Sequence, residues 1–424
     1  MGSLAPDAER PLKLGLRANA GQFALLVLVN AFVGGMVGLE RTLVPLIGSE
    51  EFKLTSTTLI GCFVISFGLV KAFANLFSGP LADTWGRRPV LIVGWLLGLP
   101  VPWLIMYAPS WNWIIAANVL LGLNQGFAWS MTVIMKVDLV GPSRRGLAMG
   151  INEFSGYLAV GITAFATGMI AASYGLRPQP FYLGVGYSLV GLLISVLLIR
   201  ETRDYARHEA ALRARESAGK TPQSDGSLSF GEVFRLTTWK DRGLFAVSQA
   251  GLVNNLNDGV SWVIFPLFFA AHAVSVANIG LIKAVYPSVW ALGQLITGPM
   301  SDRWGRKGLI VWGMWVQAAG HVVIGLGQSR PLLSGLTGCV LLGIGTAMVY
   351  PTLLASVGDV THPLVRTRAL SVYRFWRDMG YAIGAFAACM IADQLGLVWS
   401  IHFAGFLTFV SGVVALWGLP ARCT

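Results

Sequence analysis

Twelve runs of apolar residues dominate the sequence, and each is long enough to cross a membrane. A helix needs about 20 apolar residues to span the hydrocarbon core. Only helices and closed barrels satisfy their backbone hydrogen bonds in lipid, and these runs are too long and continuous for barrel strands. The sequence therefore predicts an all-α membrane protein with twelve transmembrane helices. The predicted spans, numbered 1 to 12, are 21–47, 57–79, 89–108, 111–137, 146–174, 181–200, 243–270, 276–298, 308–327, 331–356, 366–395 and 397–419.

The composition agrees with a lipid environment and indicates two halves. Hydrophobic residues make up 54% of the 424 residues and charged residues 12%, against roughly 25% charged in soluble proteins. One long break between spans, residues 201–242, is polar and charged, so we expect it to be a cytoplasmic linker. The predicted division is two six-helix halves at 21–200 and 243–419, with short tails at 1–20 and 420–424.

A short charged turn occurs in both halves. It reads GPLADTWGRR at 79–88 and GPMSDRWGRK at 298–307, a spacing of 219 residues. Other matching residues lie 221 or 224 positions apart, such as Asp138 with Asp359 and Tyr157 with Tyr381. Self-similarity at a fixed offset is typical of a duplicated unit, so the two halves are predicted to share one fold.

The duplicated turn resembles the signature of the major facilitator superfamily, and DLVGPSRRG at 138–146 is similar to a second element of that family. The resemblance covers the whole chain. It implies a secondary transporter that works by alternating access, with two halves rocking around a site near the membrane midplane. It also implies that the charges of these turns form a gate; the alternative is that they only anchor the membrane edge. The gate residues would be Asp83, Arg87, Arg88, Asp138, Arg145, Asp302, Arg306, Lys307, Asp359 and Arg366.

Basic residues are distributed unevenly between alternate loops. The net charge is +11, and 22 of the 31 Lys and Arg residues lie in the tails, the linker and the loops that carry the repeated turns, whereas the other loops hold 3. By the positive-inside rule, both termini and the linker are predicted to be cytoplasmic, in a multi-pass protein of a plasma or bacterial inner membrane. The basic charge is thus explained by topology, and no nucleic-acid partner is expected.

The six remaining bases lie inside the predicted spans, together with four carboxylates. A charge within hydrocarbon costs several kcal/mol unless it is paired or faces water, so each is a functional candidate. The bases are Arg41, Lys71, Lys136, Lys283, Arg374 and Arg377, and the carboxylates are Glu40, Glu153, Asp258 and Asp378. We expect Lys136, near the inner end of span 4, to extend towards the membrane surface.

The stretch GLERTLVP at 38–45 is similar to the D-R-x-x-L element of the organic anion branch of the family, with glutamate in place of aspartate. The resemblance implies that Arg41 meets a substrate anion and that Glu40 is its acidic neighbour. Arg41 also lies near the outer end of span 1, so it could instead extend to the outer interface.

Two arginines of span 11 are three residues apart and share a helix face. A pair of guanidinium groups can hold a carboxylate or phosphate. Arg374 and Arg377 are therefore candidates for substrate contact, whereas an ion pair between Arg377 and Glu153 or Asp378 is an equal alternative.

Polar residues of other spans complete the predicted site. Asn254, Asn257 and Asp258 form a stripe on span 7 that should face the central cavity, because it would be costly against lipid. Each of these amides and hydroxyls could instead bond between helices. The further candidates for substrate contact are Lys71, Gln125, Trp129 and Tyr350.

The leading functional prediction is a proton-coupled transporter of a small anionic solute, because bases outnumber carboxylates in the spans. Glu40, Glu153, Asp258 and Asp378 are the candidate proton carriers. A proton-coupled exporter of drugs or cations is the second prediction, weakened because the helix 4 arginine and the G-P-x-x-G-G of drug antiporters are missing. A non-transporting receptor or scaffold is the third. No nucleophile, metal-ligand or phosphate-loop pattern appears, so no enzyme activity, ATP use, cofactor or metal is predicted. The expected partners are a solute, protons and the lipid bilayer, and the protein is expected to be monomeric.

Overall fold

The computed structural model describes residues 13–141, 145–216, 229–360 and 366–420. Throughout this part of the chain the regular structure is helical, without a strand. The side chains of Arg145, Asp302, Asp359 and Arg366 are outside the description, so the gate roles predicted for these four residues cannot be placed.

The first half contains eight α-helices. Two π-helical turns interrupt it, Ile47–Glu51 after α1 and Gln125–Trp129 between α5 and α6. Predicted span 3 is divided at Leu99 and Pro100 into α3 and α4. The helices are α1 Ala20–Leu46, α2 Thr57–Trp85, α3 Arg87–Gly98, α4 Val101–Met106, α5 Trp111–Asn124, α6 Ser130–Val140, α7 Arg145–Tyr174 and α8 Tyr182–Leu197.

The described parts of the linker and of the second half contain eight further α-helices. A charged segment of the linker forms α9, and a Ser229–Glu232 capping box starts α10. A π-helical turn, Leu236–Lys240, leads into α11. The helices are α9 Arg203–Glu216, α10 Phe230–Arg235, α11 Arg242–Ala271, α12 Val276–Trp304, α13 Arg306–Leu326, α14 Pro331–Val360, α15 Arg366–Leu395 and α16 Leu397–Gly418.

Within the described ranges, ten segments are long and apolar enough to cross a membrane. They correspond to ten of the twelve predicted spans. The other two predicted spans, 7 and 11, correspond to α11 and α15, which are 30 residues long. These two helices carry buried amide and charged side chains, including Asn257 and Asp378. These polar side chains lower the hydropathy of α11 and α15, so neither helix is among the ten apolar segments.

Glycines bring helices close together inside each half. A Cβ on Gly34 of α1 would lie 2.1 Å from the carbonyl oxygen of Gly156 on α7, and one on Gly380 of α15 would lie 2.1 Å from the carbonyl oxygen of Leu252 on α11. A larger side chain at either glycine would keep the two backbones apart, because small residues allow close helix packing in membranes. The two crossings occupy equivalent positions in the two halves, as the internal repeat predicts.

The most extensive contacts between the halves are those of two helix pairs, α2 with α15 and α7 with α12. We call them the α2–α15 seam and the α7–α12 seam. A Cβ on Gly68 would lie 2.7 Å from the amide nitrogen of Ala382, and one on Gly168 would lie 2.8 Å from the Cα of Gly280. The end of the bundle that carries the turn at Gly86 is called the motif end here, and the opposite end is the far end.

Candidate functional site

A small central cavity, with a volume of about 30 Å³, lies between the two halves. Its wall is rich in aromatic rings and also carries three cationic side chains and one carboxylate. Both halves contribute to it. The lining residues are Val37, Arg41, Phe67, Lys71, Gln125, Trp129, Tyr157, Val160, Asp258, Trp262, Lys283, Tyr286, Pro287, Trp290 and Tyr381.

Arg41 is the most unusual side chain of this wall. It is 1% exposed, and its guanidinium carbon lies 3.9 Å from the centroid of the Trp262 ring and 4.7 Å from that of Phe67. Cation–π contacts of this kind stabilise a desolvated guanidinium. Yet none of its three side-chain nitrogens has a hydrogen-bond partner among the described residues. Arg41 thus does not extend to the outer interface, and its donors are free to bind a ligand in the cavity.

Glu40 lies behind Arg41, fully buried. One of its oxygens is 3.9 Å from a guanidinium nitrogen of Arg41, and neither oxygen accepts a hydrogen bond from a described residue. Glu40 does not line the cavity. Its carboxyl therefore acts on a ligand only through Arg41, and its predicted role as a proton carrier stays a prediction.

Two lysines add to the positive charge of the wall. The Lys71 ammonium lies 5.0 Å from the Tyr381 ring centroid and 5.5 Å from that of Phe67, without a hydrogen bond to any described residue. The Lys283 ammonium donates to the backbone oxygen of Ser261 at 2.6 Å. Lys283 is 4% exposed and faces the same cavity.

Asp258 is the carboxylate on the cavity wall. It is 1% exposed, and its Oδ2 has no partner among the described residues. The other members of the predicted polar stripe are placed differently, so that prediction is wrong for Asn254 and Asn257. The Asn257 amide donates to Gln317 at 3.0 Å and accepts from Thr408 at 2.8 Å, while Asn254 accepts from Gln317 at 3.1 Å. These amides therefore lie inside the second half, where they join α11 to α13 and α16.

A second cavity, the motif-end cavity, adjoins the first on the side of the motif end and also has a volume of about 30 Å³. It shares Lys71, Gln125, Trp129 and Tyr157 with the central cavity. Its remaining lining residues are Asn75, Ser130, Val133, Met149, Glu153, Tyr350, Leu354, Arg374 and Arg377.

A chain of hydrogen bonds crosses this second cavity from one half to the other. Trp129 Nε1 donates to Glu153 at 3.1 Å, and the Tyr350 hydroxyl donates to the other Glu153 oxygen at 3.2 Å. Arg377 donates to the same hydroxyl at 2.8 Å and also pairs with Asp378, again at 2.8 Å. The structure thus brings Glu153 and Arg377 together through Tyr350, and the ion pair of Arg377 is with Asp378.

Asp378 is held from the other half as well. The Asn75 amide of α2 donates to its second carboxylate oxygen, and Ser130 donates to Asn75 at 2.9 Å. Arg374 lines the same cavity but forms no hydrogen bond or ion pair with a described residue. Of the two arginines predicted to share a face, one is therefore paired and one is not.

Aromatic rings separate the two cavities. The Tyr157 ring of α7 lies 3.5 Å, centroid to centroid, from Trp290 of α12, 5.2 Å from Trp129 and 6.0 Å from Tyr350. Gln125 borders the same region and donates to the backbone oxygen of Val33 at 2.9 Å. A solute passing between the cavities must displace this cluster, which the sequence did not identify.

Lys136 contradicts the expectation that it extends to the surface. It is fully buried, and its ammonium has no partner among the described residues. The inner end of span 4 is covered by other parts of the chain: Gly15 donates its amide to the carbonyl of Leu139, 2.9 Å away. Lys136 consequently has no path to water along the helix surface.

The first charged turn forms its contacts within the first half. Arg87 donates to Asp83 at 2.9 Å and to Asp138 at 3.4 Å. Arg88 instead donates to backbone oxygens of Ser195 and Val196 at the end of α8. Whether these charges gate transport stays a prediction, since the observed pairs hold α2, α3, α6 and α8 of a single half.

Glu201 completes this turn and was not identified from the sequence. Its carboxylate accepts hydrogen bonds from the amides of Arg87 and Arg88, each at 3.0 Å, and from those of Thr202 and Arg203 at 2.9 Å. Burial raises the pKa of the Glu201 carboxyl, but the backbone donors outweigh it and hold the pKa below its ordinary value. Gly86, at φ +103°, leaves room for this carboxylate: a Cβ there would lie 2.6 Å from it.

The second turn is described in part. Gly305 repeats the positive φ of Gly86, at +88°. Arg306 donates to the Ser301 hydroxyl at 2.5 Å, and Lys307 is half-buried. These placements agree with a repeated turn but do not test its predicted gate role.

The sequence profile of the Major Facilitator Superfamily matches residues 23–248 and 247–422. The chain therefore belongs to this family of multi-pass membrane transporters, which move small-molecule solutes. The predicted family is confirmed, and so is the predicted class of an all-α membrane protein with a repeated half.

Curated relatives include proteins named for multidrug resistance. The multidrug resistance protein MdtG of Serratia proteamaculans (strain 568) is 24% identical over 376 residues, which cover 85% of this chain and 84% of the relative. The MdtG protein of Citrobacter koseri is 25% identical over 346 residues, covering 79% and 78%.

Solved transporters share the fold. The xylose transporter XylE from E. coli, in a partially occluded inward open conformation, matches with a TM-score of 0.69 and 16% identity over 94% of this chain and 98% of its own. A peptide transporter POT in complex with alafosfalin matches with a TM-score of 0.72 and 12% identity over 93% of each chain. At these identities the likeness is one of fold.

Proposed function

We propose that this protein is a proton-coupled exporter of aromatic organic compounds that carry a negative charge. The similarity to MdtG multidrug resistance proteins favours export of organic compounds. The observation that carries the proposal is the central cavity, where Arg41, Lys71 and Lys283 line a wall of aromatic rings. Rings bind apolar solute bodies, and a guanidinium with free donors binds a carboxylate or phosphonate.

Asp258 is the proposed proton carrier. It is the carboxylate on the wall of the central cavity, and a buried carboxylate with an unpartnered oxygen is costly when charged. Protonation of Asp258 from one side of the membrane and release to the other would couple solute movement to the proton gradient.

A second candidate substrate class is organic cations, which Asp258 would bind directly. The presence of a free carboxylate oxygen in the cavity favours it. Three bases against one carboxylate on the wall make it the weaker candidate, because a cation would be repelled more strongly than it is attracted.

The test uses three matched compounds: 1-naphthoate, its neutral methyl ester and 1-naphthylmethylamine. We expect 1-naphthoate to raise the unfolding temperature of the purified protein, because a ligand that binds the folded state stabilises it. The ester should have a smaller effect and the amine none. Stabilisation by the amine alone would instead establish the cation alternative. If none of the three compounds stabilises the protein, and none is transported across the membrane of proteoliposomes that contain it, the cavity does not have the proposed role.

We also propose a monomer of two six-helix halves, 21–200 and 243–419, in a bacterial inner membrane with both termini cytoplasmic. The distribution of Lys and Arg supports this orientation. A cysteine placed at residue 220 should resist an impermeant thiol reagent in intact cells and react after permeabilisation. Labelling of this cysteine in intact cells would show that the orientation is the reverse of the proposed one.

A further inference from the structure

A carboxylate of one half caps a helix of the other half at the far end. Asp393, in the last turn of α15, accepts hydrogen bonds from the amide of Thr57 at 2.5 Å and the amide of Thr58 at 3.0 Å. It also accepts one from the Ser56 hydroxyl at 2.8 Å. These donors form the N-terminus of α2, whose first amides have no partner within the helix. A negative charge is stabilised there by the partial positive charge of the helix end.

The cap exists only while the far end of the α2–α15 seam is closed, because its two sides belong to different halves. One turn closer to the membrane centre, a Cβ on Gly61 would lie 2.5 Å from the Sγ of Cys389. The helices are therefore in contact directly beneath the cap. If the halves rock apart at the far end, the three hydrogen bonds to Asp393 must break before Cys389 can meet water.

The α7–α12 seam closes the same end without a cap from the other half. Its backbones touch at Gly168 and Gly280, and Ser275 caps α12 by accepting from the amide of Asn278 at 3.4 Å, as Ser56 caps α2 by accepting from the amide of Leu59 at 3.3 Å. The last turn of α7 reads Ala171-Ala-Ser-Tyr174, without a carboxylate. The two seams thus close the far end in similar ways, and the contact of Asp393 with the N-terminus of α2 distinguishes the α2–α15 seam from the α7–α12 seam.

We propose that Asp393 is the latch that holds the far end closed and positions the halves for the step of the cycle in which the cavities face the motif end. The inference rests on the proposed transport function. Loss of the latch shifts the population of conformations towards a far-end-open state, because it removes interactions present only in the closed one. Asp393 acts through α2 and does not contact the cavity.

Cys389 provides a natural reporter for the test. It is fully buried in the closed seam. In a protein with Cys62, Cys339 and Cys423 replaced by alanine, an impermeant maleimide added from the far side reports exposure of Cys389. We expect Asp393→Asn to raise the labelling rate about tenfold, as the loss of charge-assisted hydrogen bonds implies. Asp393→Glu should restore a rate near that of the parent protein, and Ser56→Ala should cause a smaller increase.

Two controls separate a latch from a structural role. Glu50→Gln changes another exposed carboxylate at the far end and should leave the labelling rate unchanged. Met149→Cys, in the motif-end cavity, should be labelled more slowly from the motif side when Asp393→Asn is added, because alternating access closes one end as the other opens. General loosening of the fold would speed both reactions.

An unchanged Cys389 rate in Asp393→Asn, or faster labelling at both positions, would overturn the latch. Slower labelling of Met149→Cys with faster labelling of Cys389 supports it. Neither measurement uses a solute, so an error in the proposed substrate class leaves the result intact, while failure of the naphthoate experiment would leave the latch standing.

Discussion

The central cavity and the motif-end cavity lie next to each other and share four lining residues, yet several of their charged side chains differ in whether they have hydrogen-bond partners. In the central cavity, the nitrogens of Arg41 and an oxygen of Asp258 have no hydrogen-bond partner among the described residues. In the motif-end cavity, Arg377 is bonded to Tyr350 and Asp378, and Glu153 accepts from Trp129 and Tyr350.

This difference separates two tasks. A buried charge without a partner is costly, so the charges of the central cavity are suited to bind a charged solute that supplies the missing partners. A buried charge with its partners in place makes a defined link, here between α7 of the first half and α14 and α15 of the second. The motif-end network therefore holds the halves together, and the central cavity is the place for the solute.

The largest expected effect comes from breaking the paired network. Arg377→Gln leaves Asp378 buried without its cation, and removing one partner of a buried ion pair typically costs about 3–5 kcal/mol. The free energy of unfolding in detergent should fall by that order. Adding Asp378→Asn should recover much of it, because no uncompensated charge then remains.

Arg374→Gln is the matched control for this measurement. It changes the same residue type one turn earlier on α15, in the same cavity, where no described residue pairs with it. Its free energy of unfolding should stay within about 0.5 kcal/mol of the parent value. Equal losses in the two variants would remove the distinction between paired and unpaired charges.

The next effect concerns the unpaired charge of the central cavity. Arg41→Gln should weaken binding of 1-naphthoate roughly 10- to 150-fold, because hydrogen bonds to a charged group contribute about 1.5–3 kcal/mol. Arg41→Gln also leaves the buried Glu40 carboxylate without its cation, 3.9 Å away, so it should lower the free energy of unfolding as well, and adding Glu40→Gln should recover much of that loss. Isothermal titration measures the first and thermal unfolding the second. Unchanged affinity would move the anion site elsewhere, with Arg374 the first residue to examine.

A smaller change in affinity is expected for Asp258→Asn. The variant should bind 1-naphthoate within roughly twofold of the parent affinity, because the anion meets the bases of the wall. Its transport in proteoliposomes should no longer respond to a pH gradient. Glu153→Gln serves as the comparison in the motif-end cavity, and loss of the pH response in that variant alone would make Glu153 the proton carrier.

The smallest effect is expected outside both cavities, at Glu201. A carboxylate whose pKa is lowered in the folded state stabilises the fold above its ordinary pKa of 4.5 and loses that contribution as the pH falls through the lowered value. Glu201→Gln should therefore reduce stability at pH 7 by on the order of 1 kcal/mol or less, because the site is partly open to solvent. The difference from the parent should shrink as the pH falls below about 4.5, which a series of unfolding curves would show.

The sequence by itself determined the fold, because lipid leaves few choices for a chain with such long apolar runs. The repeated turn identified the family and marked Asp83, Arg87 and Asp138 as charged residues of neighbouring turns. The sequence also identified every charged residue of the two cavities, since a charge inside an apolar run is visible without coordinates.

Only the tertiary structure decided which of those charges have partners. Helical periodicity gives the face of one helix, but the partner of that face depends on how twelve predicted spans are arranged. That is why Asn254 and Asn257 bond to Gln317 and Thr408 inside the second half, while Asp258, on the same stripe, lines the cavity. The caps formed by Glu201 and Asp393 likewise join residues more than 110 and 330 positions apart, and hydrogen bonds to backbone amides leave no pattern in the sequence.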